Sequence, residues 1–367
     1  MSAFRDTWEL GLPDIFNYPS PVPPEEITLE LFESRRADIK ALLAREEYGY
    51  LPAFDYAVDY QTEESYSFGG SSAIFSRVLI TVRTANGKHS FPLYCIIPAA
   101  NRPCPAFLHI NFRDAVPDRY MPSEEISDQG FACFSFCYHD VTRDNADFTD
   151  GLAGLLYPDG QRGLSDPGKI SIWAWAAMRA MDYIMTLDCI DHKNVGVVGH
   201  SRLGKTALWT AANDERFAFC FANESGCSGA ALTRGTPSEA EHLRQICETF
   251  PYWFCKQYSS YVGRETELPF DQHFLLSLIA PRRLYVASAD ADLWTGPASQ
   301  YRACWAAARI WDFYGRFPSF TGTDHYPAPG EYFHEGYIGY HMRAGDHFLS
   351  RRDWLGFMTY FKKHLNK

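Results

Sequence analysis

Hydrophobic and polar positions follow two different patterns along this 367-residue chain. Residues 1–65 combine a proline-broken beginning with one segment, Leu29 to Leu43, whose apolar residues recur at helical spacing. Two β-rich runs at 76–84 and 90–98 then flank Asn86-Gly87, a strong hairpin signal because both central turn residues need positive φ. The first part of the chain therefore predicts a helix followed by antiparallel strands.

From residue 105 onward, short apolar runs alternate with helical stretches. Each run is apolar throughout, which is typical of strands buried on both faces. Such strands, joined by crossover helices, form a mostly parallel sheet covered on both sides. The runs lie at 105–112, 131–138, 194–199, 217–223 and 282–289, and the clearest helical segment lies at 170–186.

The predicted fold class is therefore α/β, with a mostly parallel central sheet, antiparallel N-terminal hairpin strands and helices on both faces. We divide the chain into an N-terminal extension with a helix, residues 1–65, and an α/β domain, residues 66–367. The two parts are expected to form one compact unit, because 46% of the residues are hydrophobic and no segment looks like a linker.

The amino-acid composition limits the classes of binding partner that we expect. The net charge of −11 argues against nucleic acid, because phosphate contacts need clustered lysines and arginines. No apolar run approaches the ~18 residues that span a bilayer, so no membrane partner is expected. The first residues lack the features of a signal peptide, which favours a cytoplasmic location. The ten cysteines form no C-x-x-C pair and are expected to be reduced, buried thiols.

One stretch carries candidate chemistry, but it fits two motifs that exclude each other. Residues 196–208 read GVVGHSRLGKTAL. Within them, residues 199–206 match the phosphate-loop pattern G-x-x-x-x-G-K-[ST], which would bind a nucleotide. Ser201, at the end of an apolar strand, also begins a nucleophile elbow, which normally reads G-x-S-x-G in serine esterases. The chain departs from the elbow pattern at Leu203, where the second glycine is expected.

The esterase interpretation makes a further demand, which the chain meets. A serine hydroxyl is a weak nucleophile until an imidazole takes its proton and a carboxylate orients that imidazole. In esterases of this kind the three groups follow the chain order Ser, Asp or Glu, His. Glu224 and Asp292 each follow an apolar run after Ser201, and the segment GYIGYHMRAGDH then carries His341 and His347. The order favours the esterase and leaves two acids and two histidines as candidates.

Several segments together resemble the bacterial branch of the glucuronoyl esterase family, which are carbohydrate esterases of α/β-hydrolase fold. The segments are GHSRLGKTALW, ANESGCSGAALTRG, FPYWFC, LPFDQHFLLSLIAPRRLYVASADADLW and IGYHMRAGDH. The resemblance extends from about Trp173 to the C-terminus and is weaker upstream. Its G-x-S-R-x-G-K signature accounts for Leu203, because in this family an arginine follows the nucleophile and the glycine is displaced.

The resemblance implies a role for each candidate. Ser201 would be the nucleophile and His341 the general base, with His347 as its competitor. Glu224 would be the acid that orients the histidine, although Asp292 occupies the place of the acid in many bacterial members. Arg202, directly after the nucleophile, would stabilise the oxyanion.

The same resemblance implies a sugar-binding set. Lys205 and Trp294 would contact the uronic acid, together with Glu241 or, as a second choice, Glu248. The implied activity is hydrolysis of esters of (4-O-methyl-)glucuronic acid through a glucuronoyl-enzyme intermediate. The substrate would be a small-molecule or oligosaccharide uronate ester. The oligomeric state does not follow from the sequence.

No metal or organic cofactor is expected for this chemistry. The pairs Asp271-x-His273 and Asp290-x-Asp292 lack a third ligand at suitable spacing. Two alternatives to the glucuronate assignment stay open. One is an acetyl-xylan, cinnamoyl or other carbohydrate ester hydrolase of the same fold, and the other is a nucleotide-binding protein that uses residues 199–206 as a phosphate loop.

Overall fold

A computed structural model describes residues 8–68 and 72–365 of the chain. Within these ranges, ten strands form one mixed sheet. They are β1 (Ala57–Ser67), β2 (Ile74–Thr84), β3 (Gly87–Ile97), β4 (Cys104–Asn111), β5 (Ala132–Cys137), β6 (Ile190–His200), β7 (Phe219–Asn223), β8 (Arg283–Ala289), β9 (Tyr332–Phe333) and β10 (Ile338–Arg343).

The strands lie in the order β1-β2-β3-β5-β4-β6-β7-β8-β10-β9. The first three form an antiparallel meander, and β3 pairs antiparallel with β5. From β5 to β10 all neighbours are parallel, and the short β9 closes the far edge as an antiparallel strand. This is the α/β-hydrolase sheet that the apolar runs and the resemblance predicted.

Helices cover both faces of the sheet. They are α1 (Leu29–Leu43), α2 (Ser123–Asp128), α3 (Tyr138–Val141), α4 (Gly151–Leu156), α5 (Lys169–Ile184), α6 (Arg202–Asn213), α7 (Leu243–Thr249), α8 (Gln272–Ser277), α9 (Pro297–Phe313) and α10 (Arg351–His364). A π-helical turn, Ala44–Tyr48, extends α1. The 3-10 turns lie at Trp8–Leu10, Ile15–Asn17, Pro24–Glu26, Lys256–Tyr261, Glu265–Glu267 and Leu293–Thr295.

Each central strand contributes to two apolar layers, because successive side chains of a strand point to opposite faces. On β6, Val197 packs into the layer that holds α5, α6 and α9, where Trp173, Trp209 and Trp311 are fully buried. Val198, the next residue, packs into the opposite layer with the aromatic face of α10. This two-sided burial explains why the runs are apolar without alternation.

Three strands were not predicted from the sequence: β1, the two-residue β9 and β10. β1 crosses the boundary drawn at residue 65, and its mostly exposed, polar side chains give no apolar run. β10 lies in the C-terminal segment that was interpreted as a loop. All six of its residues are buried, although they include a histidine and an arginine. The Asn86-Gly87 hairpin and the parallel strands are confirmed, with Thr84 opposite Gly87 at the turn.

The ten cysteines are all free thiols, and nine of them are buried. The exposed one, Cys189, directly precedes β6. No helix among the described residues is both long and apolar enough to cross a membrane.

The sheet order decides where a site can form. β6, β7, β8 and β10 are consecutive neighbours and run parallel, so their carboxyl ends meet at one edge of the sheet. Loops at this edge are the usual location of ligand sites in open α/β sheets. The candidate nucleophile, both candidate acids and His347 all follow one of these four strands.

Candidate active site

Ser201 lies in a sharp turn between β6 and α6. Its backbone has φ 57° and ψ −127°, a conformation that residues with a side chain rarely adopt. The amide of Ser201 donates to the carbonyl of Asn223 on the adjacent strand (2.9 Å), and its own carbonyl accepts from the amides of Gly204 and Lys205. The turn is thus fixed on both sides, and it has the strand-turn-helix form of a nucleophile elbow.

The displacement of the second glycine of the elbow motif by one position has a steric cause. Leu203, at the usual glycine position, is fully buried in the core. The close approach of the helix to the next strand occurs instead at Gly204, where an added Cβ would lie 3.0 Å from Cβ of Ser225 and 3.1 Å from the carbonyl oxygen of Asn223. Gly199 is equally restricted, because its Cβ would lie 1.9 Å from the carbonyl oxygen of Leu203.

The phosphate-loop alternative does not fit this geometry. A phosphate loop needs an extended stretch of backbone amides between its two glycines. Here α6 begins at Arg202, two residues after β6 ends. The lysine and threonine of the motif are already engaged, since Lys205 Nζ donates to the carbonyl of Ser225 (2.6 Å) and Thr206 Oγ1 to that of Arg202 (3.0 Å).

His347 lies next to the elbow, in the loop between β10 and α10. Its ring centroid is 4.4 Å from that of His200, which directly precedes Ser201. Its side chain is 41% exposed, and Nδ1 lies 2.7 Å from Oδ2 of Asp292 and 3.2 Å from Oε2 of Glu224. Burial alone lowers the pKa of His347, but the two carboxylates outweigh it and raise that pKa to about 9.

His341 does not occupy the position of a general base, so the expectation that it fills this role is corrected. The residue lies inside β10 and is fully buried. Both of its ring nitrogens are engaged, Nδ1 with the hydroxyl of Tyr285 (2.9 Å) and Nε2 with Oδ1 of Asp353 (2.8 Å). A base must reach the proton that it removes, and the structure brings His347 to the candidate acids instead.

Both candidate acids contact His347. Asp292 follows β8 and also accepts a hydrogen bond from Thr295 Oγ1 (2.8 Å). Burial by itself raises the pKa of Asp292, but the donors His347 and Thr295 outweigh it and hold that pKa below its ordinary value. Glu224, directly after β7, is fully buried, and burial raises its pKa to about 8 against the opposing effect of His347 and Arg343.

Arg202 is held beside the elbow by an acid that the sequence did not indicate. Its Nη1 forms an ion pair with Asp144, whose carboxylate also accepts from Trp253 Nε1 (2.6 Å). The guanidinium carbon lies 4.5 Å from the ring centroid of Trp253 and 5.2 Å from that of Phe250, so the cation is close to both rings of a stacked pair. Arginine Nε has no acceptor among the described residues.

Three of the predicted sugar-binding residues, Lys205, Glu241 and Trp294, come together. Lys205 is buried, and burial lowers its pKa against the charge of Glu241. Glu241 donates its backbone amide to the carbonyl of Trp294 (2.8 Å) and accepts a hydrogen bond from the Trp294 side chain. Trp294 itself is 50% exposed and can present a ring face to a sugar. Glu248 lies apart, paired with Arg244 on the surface of α7.

One group of side chains could hold a metal ion. Among residues 8–68 and 72–365, His200, Glu224 and His347 each place one ligand atom within 4.8 Å of the others. Two of these side chains are the candidate base and a candidate acid. An ion there would therefore compete with proton transfer by the same groups.

Two residues of the site were missed from the sequence, the half-buried Asp144 and the buried Arg343. Asp144 precedes Arg202 by 58 residues, and nothing in its local pattern distinguishes it from the neighbouring acids of the same loop. Arg343 ends β10 and contacts Glu224, Asp353 and the loop that carries His347. A charge so deep in the fold is recognisable only once its acidic partners are known.

Comparison with known proteins supports one family. A family model described as "Glucuronyl esterase, fungi" matches residues 80–315. The carbohydrate esterase MZ0003 from an unknown prokaryotic organism is 41% identical over 200 residues, which cover 54% of this chain and 45% of that protein. The 4-O-methyl-glucuronoyl methylesterase of Thermothelomyces thermophilus is 30% identical over 322 residues, covering 82% of this chain and 71% of that protein.

Similarity in structure extends over nearly the whole molecule. The glucuronoyl esterase from Solibacter usitatus superposes with a TM-score of 0.85 at 29% identity, covering 97% of this chain and 98% of that chain. By contrast, the chain spans about half the length of the curated relatives MZ0003 and the methylesterase of Podospora anserina.

Proposed function

The chain belongs to the glucuronoyl esterase family, and we propose that it is a serine esterase that hydrolyses esters of (4-O-methyl-)glucuronic acid. The observation that carries the proposal is the meeting of a strained serine turn, an imidazole with carboxylate partners and a sugar-binding set at one edge of the sheet. A phosphate loop explains none of these three features.

In the proposed reaction, Ser201 Oγ attacks the carboxyl carbon of the ester while His347 accepts its proton. Asp292 and Glu224 hold the imidazole with Nδ1 toward them, which leaves Nε2 for the serine. The tetrahedral intermediate collapses as His347 returns the proton to the departing alcohol. Water, activated by the same imidazole, then hydrolyses the glucuronoyl-enzyme.

Arg202 supplies charge for the oxyanion. Its backbone amide begins α6, where the positive end of the helix dipole favours a developing negative charge. Its guanidinium carries five N–H groups, of which Nη1 contacts Asp144. Each donor aimed at an oxyanion is typically worth about 3 kcal/mol of transition-state stabilisation. The ion pair with Asp144 and the contacts with Trp253 and Phe250 hold the guanidinium beside the elbow.

The acyl side of the substrate would lie over Lys205, Glu241 and Trp294. A uronic acid esterified at its carboxyl group is uncharged, so its hydroxyls, rather than a carboxylate, must be recognised. Lys205 and Glu241 offer one donor group and one acceptor group for those hydroxyls, and the exposed ring of Trp294 offers an apolar face. An acetyl ester would use none of these groups.

The decisive experiment compares hydrolysis of benzyl glucuronate and p-nitrophenyl acetate by the wild type and by Ser201→Ala. We expect the wild type to prefer the glucuronate in kcat/KM and the Ser201→Ala variant to lose both activities. Cleavage of acetate without cleavage of glucuronate would overturn the substrate assignment and favour another carbohydrate ester. Stabilisation of the protein by ATP and Mg²⁺ in a thermal-shift assay would revive the nucleotide-binding alternative.

A further inference from the structure

One arginine binds several backbone groups of the loop that carries His347, which is also tied to the end of β8 by the amide of Gly345, a donor to Asp290 Oδ1 (2.9 Å). Arg343, the last residue of β10, is 5% exposed. Its Nη2 donates to the carbonyl oxygens of Asp346 (2.7 Å) and Phe348, and its Nη1 to that of Ala344 (3.3 Å). One guanidinium thus binds backbone on both sides of His347, which fixes the path of the loop.

The same guanidinium is anchored by two buried carboxylates. Nη2 lies 2.6 Å from Oε1 of Glu224, and Nε lies 3.0 Å from Oδ2 of Asp353. Asp353 is itself fixed in the first turn of α10, where it accepts from the amide (2.6 Å) and the hydroxyl (2.7 Å) of Ser350. Arg343 therefore connects the histidine loop to the end of β7 and to the start of α10.

The contacts of Glu224 differ from those of Asp292. Glu224 accepts at Oε1 from Arg343 and at Oε2 from the backbone amide of Phe348 (2.9 Å), while His347 Nδ1 lies farther away, at 3.2 Å. Asp292 instead lies 2.7 Å from that nitrogen. Charge-assisted bonds to arginine are strong and directional, so the orientation of Glu224 is set mainly by the loop and its arginine.

We propose that Arg343 is a positioning residue that engages Glu224 as an anchor for the His347 loop and leaves Asp292 as the carboxylate that orients the imidazole. The proposal rests on the function proposed above for the same site. The sequence left Glu224 and Asp292 as alternative acids, and the proposal gives each of them a separate role. It also predicts that Arg343 and Glu224 act as one unit.

The test is a double-mutant cycle with Arg343→Lys, Glu224→Gln and the double variant. A lysine keeps one charge but cannot bind all the acceptors of Arg343 together, and glutamine keeps the shape of Glu224 without its charge. We expect each single variant to lower kcat roughly tenfold or more with KM nearly unchanged. Because the two groups act together, the kcat of the double variant should lie within about threefold of the kcat of the less active single variant.

The pH profile separates positioning from a merely structural role. Asp292→Asn removes the carboxylate nearest to His347, so it should move the acidic limb of kcat/KM to lower pH by about one unit or more. Glu224→Gln and Arg343→Lys should move that limb much less. A larger shift in Glu224→Gln than in Asp292→Asn, or multiplicative losses in the double variant, would overturn the proposal.

Arg282→Lys is the matched control. Arg282 is a half-buried arginine directly before β8, at the end of that strand opposite Asp292, where it donates to the backbone carbonyls of Ala211 (2.7 Å), Phe217 (2.9 Å) and Asp214 (3.2 Å). Its replacement removes comparable interior bonds away from the site. We expect this variant to lose thermal stability while its kcat stays within about twofold of the wild type.

Amide hydrogen exchange of the segment 344–349 tests the anchor without any substrate. Exchange should be faster by about tenfold or more in Arg343→Lys and in Glu224→Gln, and unchanged in Arg282→Lys. Equal exchange in all variants would contradict the anchor. If the wild type cleaves no glucuronate ester, the proposed function fails, and hydrogen exchange still decides whether Arg343 holds the loop.

Discussion

His347 and His341 lie six residues apart in one short segment, but their surroundings give them opposite properties. His347 is partly exposed beside His200, the residue before Ser201, and its Nδ1 contacts two carboxylates. His341 is fully buried between the hydroxyl of Tyr285 and Asp353. An exposed ring can exchange protons with a substrate, whereas a buried ring with both nitrogens engaged stabilises the core.

We therefore expect His347→Gln to lower kcat by roughly 10⁴-fold with little change in folding free energy, because the base is lost and a partly exposed site is altered. His341→Gln should instead cost about 1–3 kcal/mol of stability, since Asp353 loses a buried donor. The measurements are steady-state kinetics and urea unfolding of both variants. If the two variants exchanged these outcomes, His341 would be restored as the base.

The pH dependence of the reaction follows from the charge around His347. Only the neutral imidazole can accept the proton of Ser201, and the neighbouring carboxylates raise the pKa of His347 to about 9. At pH values below that pKa most of the imidazole is protonated, so kcat/KM should rise with pH and level off in the alkaline range. A rate-pH profile from pH 6 to 10 measures this. A plateau that begins below neutral pH would contradict it.

At the scale of elements, β10 shows what the sequence could not reveal. Its two ionisable residues, His341 and Arg343, looked like loop residues because buried strands seldom contain such side chains. Both become acceptable in the core only because Asp353, on α10, lies between them. That partner is ten or more residues away and its position depends on the fold. The choice of His341 as the base was wrong for this reason.

Elements whose signals are local were predicted well. The hairpin at Asn86-Gly87, α1, α5 and the apolar strands all lie where the pattern placed them, within a few residues. The elbow at Ser201 followed from its motif and chain order. Pairings between distant segments, such as Arg202 with Asp144, had no local signal. The expected cytoplasmic location stays a prediction, because nothing in the fold bears on it.

The chain departs from the usual elbow pattern G-x-S-x-G at Leu203, in the helix after the elbow, and the reason for this departure can be tested. Leu203→Gly would restore the spacing G-x-S-x-G, but it would remove a fully buried side chain. We expect a loss of about 3–5 kcal/mol in the free energy of unfolding, from the lost packing and from glycine in a helix. The exposed Leu355, on α10, provides the control, since Leu355→Gly should cost about 1 kcal/mol. Equal losses at the two positions would contradict the packing role of Leu203.

At the scale of the whole molecule, the N-terminal segment is part of the main core. α1 buries Phe32, Ile39, Leu42 and Leu43 in the same layer as the central helices. The π-helical turn after it places Tyr48 in a parallel stack with Trp209 of α6, with ring centroids 4.6 Å apart. Its neighbour, the buried Glu47, accepts hydrogen bonds from Gln272 at the start of α8. The segment thus supports the helix that begins at the elbow.

This packing makes the division at residue 65 testable. A chain that begins at residue 51 would expose the apolar surfaces of α6 and α8 that α1 and Tyr48 now cover, and it would lose several fully buried side chains worth about 2–3 kcal/mol each. We expect it to lack a cooperative thermal transition. Circular dichroism melting of the shortened and full chains provides the measurement. A cooperative transition in residues 51–367 would show that the N-terminal part is dispensable, as an extension would be.

The single accessible thiol can be used to attach the protein at one defined position. Cys189 precedes β6 and Ser201 follows it, so the two lie roughly 35–40 Å apart along the strand direction, at opposite ends of the sheet. A maleimide dye or a bead attached at that sulfur would leave the edge of the sheet that carries Ser201 facing away from the support. The immobilised protein would therefore present the candidate site in one uniform orientation.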